Sequence, residues 1–137
     1  MIVDAGVLYG ATDANDPEHS AAVSTLQEWP GELVVSAFTA AEADHLVLSR
    51  LGLDAELALI EDLALTYTVQ SLDARGLKIA GELCARYRDL ELGLADASMV
   101  VLAAQRSTHL LATFDQRHFR AVTALDGKPF RLLPSDA

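Results

Sequence analysis

The chain has 137 residues, 51% of them hydrophobic and 22% charged, which is the length and balance of one globular unit with its own core. No uninterrupted apolar run reaches the ~18 residues needed to span a bilayer, and MIVDAG lacks the basic and apolar regions of a signal peptide, so a cytoplasmic protein without a membrane segment is expected. The net charge of −10 argues against unspecific nucleic-acid binding, and it is uneven: residues 1–70 hold twelve acids and one base, Arg50, whereas residues 71–137 hold eight acids and nine bases.

In chain order, MIV reads as one short buried strand, and Asp4 stands at its carboxyl end, the edge where open α/β sheets bind ligands. AGVLYGA follows as a helical turn. Asp16-Pro17-Glu18 opens a helix, with Asp16 as N-cap and Pro17 at the first helical position, and Ala22, Val23 and Leu26 form its buried stripe. Leu33 to Val35 is a second strand. Ser36 caps a helix from Ala37 to about Leu51, on which Glu42 shares a side with Phe38, Ala41, His45, Leu46 and Ser49. Gly52 breaks that run. A helix from Leu53 to Leu65 then presents Leu53, Leu57, Ile60 and Ala64 as one stripe and leaves Leu59 and Leu63 partly outside it. TYTVQSL is a third strand by its β-branched and aromatic content. Asp73 to Arg88 reads as a helix with Leu77, Ala80, Gly81, Cys84 and Tyr87 inward. HLLA is a fourth strand, Gln116 to Phe119 a helical turn, Asp126-Gly127 a tight turn, and Phe130 to Leu133 a last strand. No repeat, linker or low-complexity stretch divides the chain. Short apolar runs alternating with helices imply a single domain over 1–137, a three-layer α/β/α sandwich around a short, mostly parallel sheet.

One stretch stands apart. LGLADASMVVLAA, Leu92 to Ala104, is apolar or small throughout except for Asp96, which at helical spacing shares a face with Met99, Val100 and Ala103. A carboxylate on a core-facing side is costly unless a metal ion, a base such as Arg86 or Arg88, or a proton compensates it. Asp4 and Asp115 at strand ends and Glu42 on a helix are three further acids in non-random places. Any one of them could be a simple cap or rim residue. Four carboxylates brought together would repel one another unless cations intervene, and oxygen-only ligands select hard ions such as Mg²⁺ or Mn²⁺. Such an ion suits hydrolysis of a phosphodiester. Thr113, two residues before Asp115, is placed to hydrogen-bond a ligand carboxylate.

The order MIVDAGVLY, SAFTAAE, LGLADASMVVLA and LLATFDQRHF resembles the PIN-domain ribonucleases, specifically the VapC-type toxins of bacterial toxin-antitoxin pairs, and the similarity covers nearly the whole chain. The resemblance implies that Asp4, Glu42, Asp96 and Asp115 form the Mg²⁺ or Mn²⁺ site of an endoribonuclease. It implies an RNA substrate, tRNA or rRNA, a homodimer, and a cognate VapB-type antitoxin whose C-terminal tail lies in a groove and reaches the acidic site with a basic residue. A chain of net charge −10 would attract such a tail. The apolar helix pair from Phe38 to Leu65 is the expected groove.

Arg117 and Arg120 closely follow the fourth acid and are candidate phosphate contacts. His19, His45, His109 and His118 are scattered without metal-ligand spacing and read as surface or packing residues, although His45 lies three residues from Glu42. Asp13 and Glu91 carry no specific signal. Trp29 reads as a helix-end packing residue, and Cys84 as a small apolar one. A receiver-like Mg²⁺-binding signalling module is the competing reading; it calls for paired acids after the first strand and a strand-end lysine, and the chain offers a lone Asp4 and only Lys128. A D-x-D phosphatase would need an acid where Gly6 stands.

Overall fold

The structure, a computed structural model, describes residues 1–137. Five strands, β1 (Ile2–Val3), β2 (Val34–Ser36), β3 (Thr68–Gln70), β4 (Leu110–Ala112) and β5 (Arg131–Leu133), form one sheet in the order β3-β2-β1-β4-β5. Every pairing is parallel. That order differs from the 2-1-3-4-5 arrangement of receiver-type domains, which removes the competing reading at the level of topology.

Because side chains alternate along a strand, the three inner strands each feed two cores. Ile2, Val34 and Leu111 pack on one face with α5 (Ala74–Arg86), α6 (Leu94–Gln105) and Phe119 of α7 (Gln116–Ala121). Val3, Val35 and Ala112 pack on the other with α1 (Ala5–Thr12), α3 (Ala37–Leu51), α4 (Leu53–Leu65) and Ala22 of α2 (His19–Glu28). The α/β/α layering expected from the sequence is present. No helix is long and apolar enough to cross a membrane.

The central helix is α6, with every residue from Ala97 to Ala103 buried. A helix apolar all round belongs inside, and each buried Val, Leu or Met contributes about 1.5–3 kcal/mol. Its buried polar residue, Ser98, belongs to a chain of hydrogen bonds whose direction the chemistry fixes. Ser98 donates to the Ala95 carbonyl at 2.6 Å, so its oxygen accepts from Ser36 at 2.6 Å, and Ser36 accepts from the Phe38 N–H at 3.1 Å. This chain couples the cap of α3 to α6. Between α3 and α4, Gly52 adopts φ 92, ψ −179, a conformation essentially reserved for glycine.

Several expectations are corrected. AGVLYGA is not one turn but eight-residue α1. The next helix begins at His19, because Asp16 accepts the Glu18 N–H at 2.8 Å in a turn and so does not cap the helix. On α3 the buried row is Thr39, Ala43 and Val47, while Ala41, His45 and Ser49 face outward. On α4 the expected inner stripe is the outer one: Leu53, Leu57 and Ile60 are 58%, 53% and 48% exposed, whereas Leu59 is buried. Leucines occupy every side of this helix, so periodicity cannot choose a face; packing through Ala55, Leu59 and Leu63 does. On α5 the buried row is Gly76, Ala80 and Leu83, and Leu77 and Gly81 are exposed. That helix ends at Arg86, followed by a 3-10 turn over Arg88–Leu90.

Candidate active site

In a sheet wound in both directions from β1, the crevice opens between β1 and β4 at their carboxyl ends. Asp4 leaves β1 there, and Thr113 and Asp115 leave β4. Asp4 is buried and held at both oxygens. The Ala5 N–H donates to Oδ1 at 2.7 Å, which makes Asp4 the N-cap of α1, and the Thr113 hydroxyl donates to Oδ2 at 2.6 Å. Thr113 is itself fixed, because its oxygen accepts the Asp115 N–H at 3.0 Å. Asp115 caps α7 through Oδ1, which accepts the His118 N–H at 2.9 Å, and its Oδ2 faces outward from the cap.

Asp96, in the first turn of α6, and Glu42, on α3, complete a cavity of about 490 Å³ lined also by Asp4, Asp115, His118 and Leu46. The four acids proposed from the sequence therefore border one open space. Their electrostatics register the crowding. Burial raises the Asp4 carboxyl above its ordinary value, the nearby Asp115 charge adds to this, and the hydrogen bonds from Thr113 and Ala5 oppose it. Glu42 is raised by burial and by the Asp4 charge. Asp96 is pushed up to about 6, first by burial and then by the Asp4 charge, with Asp115 and Glu42 adding to it and His118 opposing.

Asp96 pairs with neither Arg86 nor Arg88. Its neighbour is His118, whose Nδ1 lies 3.1 Å from Asp96 Oδ2 and 2.8 Å from Asp115 Oδ2. Reading His118 as a scattered surface or packing residue is thus corrected. The spacing Asp115-x-x-His118 was the available signal: on a helix, i and i+3 share a side, so a histidine three residues beyond an N-cap acid faces the same way. Arg120 is engaged by Asp136, to which it donates two hydrogen bonds of 2.6 and 2.9 Å, and Arg117 is exposed beside Gln116. Of the weaker candidates, Asp13 accepts the Tyr9 hydroxyl at 2.7 Å and Glu91 ends the 3-10 turn, and neither lines the cavity.

The donor set fits a hard divalent ion. It consists of four carboxylates, three of them pushed up by burial and by one another's charge, and one buried nitrogen, His118 Nδ1, that lacks an aligned hydrogen-bond partner. Asp96, Asp115 and His118 each offer a ligand atom, and the three atoms lie within 4.8 Å of one another.

Comparison with known proteins agrees with this architecture. The model of the PIN domain matches residues 1–125. Ribonuclease VapC26 of Mycobacterium tuberculosis is 36% identical over 135 residues, covering 98% of this chain and 100% of that one. Among solved structures, VapC20 of M. tuberculosis, a sarcin-ricin loop cleaving toxin, superposes with a TM-score of 0.82 at 21% identity over 93% of this chain and 98% of its own. VapBC2 of Rickettsia felis, bound to a promoter DNA fragment, gives 0.69 at 12% identity over 96% of each chain. FitAcB of Neisseria gonorrhoeae gives 0.66 at 22% identity over 95% of this chain and 96% of its own. A family match running from the first residue through the fourth acid, on a fold shared with these relatives, makes the chain a member of the PIN-domain family.

Proposed function

We propose that the chain is a metal-dependent endoribonuclease toxin of the VapC kind, hydrolysing phosphodiester bonds in tRNA or rRNA. The observation that carries this reading is the meeting of Asp4, Glu42, Asp96 and Asp115 around one open cavity at the sheet's switch point. The near full-length similarity to Ribonuclease VapC26 supports the substrate class.

Asp4, Glu42, Asp96 and Asp115 would hold Mg²⁺ or Mn²⁺. Such an ion, when bound, acidifies water and offsets the charge gathering on phosphoryl oxygens. The protein supplies the rest. Asp4, clamped by Ala5 and Thr113, gives a carboxylate that does not need to reorganise during the reaction. Asp115 is held similarly by its role as a cap. Glu42 sits at the exposed rim with a raised proton affinity, which suits it to take the proton that an attacking water sheds. Arg117, exposed two residues after Asp115, is the remaining candidate for a substrate phosphate, since Arg120 is occupied by Asp136.

The same reading assigns the chain a cytoplasmic place, a homodimeric state and a VapB-type antitoxin partner. The outer face of α4 and the end of α3 expose Leu48, Leu51, Leu53, Leu57 and Ile60 next to acidic Asp54 and Glu61, which suits a partner segment that is apolar and basic. Deleting the antitoxin's C-terminal tail should release the nuclease; a complex that stays intact and silent would sink this part. The direct test of function is sequencing RNA ends after brief induction of the wild type beside Asp4→Ala. New ends confined to the wild type are expected, and identical end profiles would refute the assignment.

A further inference from the structure

His118 lies outside the set of four acids, and its surroundings define its chemistry. Nε2 is 2.9 Å from the Leu90 carbonyl, which can only accept, so Nε2 carries the hydrogen. In the neutral ring Nδ1 is then left with its lone pair. That atom is buried, makes no aligned hydrogen bond, and sits 2.8 Å from Asp115 Oδ2 and 3.1 Å from Asp96 Oδ2. Three such atoms this close call for a positive charge between them, supplied by a proton on the ring or by a bound metal ion. The separations have a simple meaning: two ligands at right angles on an ion with bonds of about 2.1 Å are about 3 Å apart. Both distances from Nδ1 match such an edge.

The ring is also held in place rather than free to swing. Phe119, the next residue, is buried in the core, and the hydrogen bond to Leu90 ties α7 to the 3-10 turn that precedes α6. A metal-ligating imidazole commonly has its other nitrogen fixed by a backbone carbonyl in this way.

We infer that His118 Nδ1 is a direct ligand of the divalent ion and that this nitrogen biases the site toward Mn²⁺ over Mg²⁺. The inference rests on the metal-dependent reading above and adds a donor and a selectivity to it. Carboxylates and water serve Mg²⁺ well, whereas imidazole gains more from a transition ion.

The test is metal binding by the purified full-length chain. Calorimetric titration with MnCl₂ and with MgCl₂ is performed on the wild type, His118→Gln and Asp96→Asn, and the Mn²⁺-loaded samples are examined by pulsed electron paramagnetic resonance for ¹⁴N coupling. Wild type should show a directly bound nitrogen. His118→Gln should lose that coupling and bind Mn²⁺ about tenfold or more weakly, with Mg²⁺ affinity changed less than about threefold. Asp96→Asn should weaken both ions. Wild type that binds both ions without ¹⁴N coupling, or an equal loss of both ions in His118→Gln, would overturn the ligand assignment and leave the acidic site standing. Wild type that binds neither ion would overturn the underlying reading as well. The coupling in the wild type decides the point even if the variant does not fold.

Discussion

Asp96→Asn separates the cost of the acidic site from its use. The carboxyl titrates at about 6 in the folded chain against an ordinary value of 3.8, and its side chain is only 20% exposed. Each tenfold change in proton affinity corresponds to ~1.4 kcal/mol, so once Asp96 is ionised in the metal-free fold it costs ~3 kcal/mol. The sign follows from the direction of the shift. Because the folded-state value lies above the unfolded one, there is no penalty below about pH 4, it grows up to about pH 6, and it is complete above that. Asn keeps the shape and removes the charge, at the expense of the attraction between Asp96 and His118. A net gain of ~2 kcal/mol, about 6 °C in melting temperature for a chain of this size, is expected near neutral pH in chelator. Thermal melts followed by circular dichroism, with EDTA and then with MnCl₂, read this directly. Wild type should be destabilised by raising the pH from about 5 to about 7.5 in EDTA and rescued by metal, whereas the variant should respond less to both and cut no RNA. A variant that melts below wild type in EDTA, or that metal stabilises as much as wild type, would refute the reasoning.

Thr113→Val removes the hydroxyl that donates to Asp4 and leaves a buried carboxylate one hydrogen bond short. A loss of ~1–3 kcal/mol is expected in urea unfolding, and the acid limb of the pH–rate profile should move to higher pH as Asp4 binds its proton more tightly. Gly52→Ala forces a side chain into φ 92, ψ −179, and should cost ~1–3 kcal/mol in the same assay with activity per folded molecule unchanged. Leu57→Lys, on the exposed side of α4, should abolish antitoxin binding in a co-purification assay while RNA cleavage persists; retained binding would move the interface elsewhere.

Much of this was readable from residues alone, for local reasons. Asp4 and Asp115 announce themselves because a short apolar run followed closely by an acid places that acid at a sheet edge wherever the strand goes. Ser36 caps α3 as its position implies. What could not be read depended on which surfaces meet. The leucines of α4 offer several apolar faces, and only the presence of α3 selects Leu59. His118 reaches Asp96 across 22 positions of sequence because the crossover through α6 returns the chain beside β1. Arg120 sits correctly for a phosphate, yet Asp136, near the chain end, claims it. Asp16-Pro17 is a genuine turn signal whose helix starts later, at His19.

The clamp on Asp4 joins positions 109 apart in sequence, Asp4 to Thr113. During translation the first acid therefore emerges early and waits, unheld, until β4 arrives to pair with β1 and bring Thr113 alongside. Before that, β1 has only β2 as a neighbour, and the crevice has one wall. A chain stalled anywhere short of residue 113 carries at most three of the four carboxylates and no closed pocket. The pocket is consequently assembled only once β4 and the segment just after it have been made.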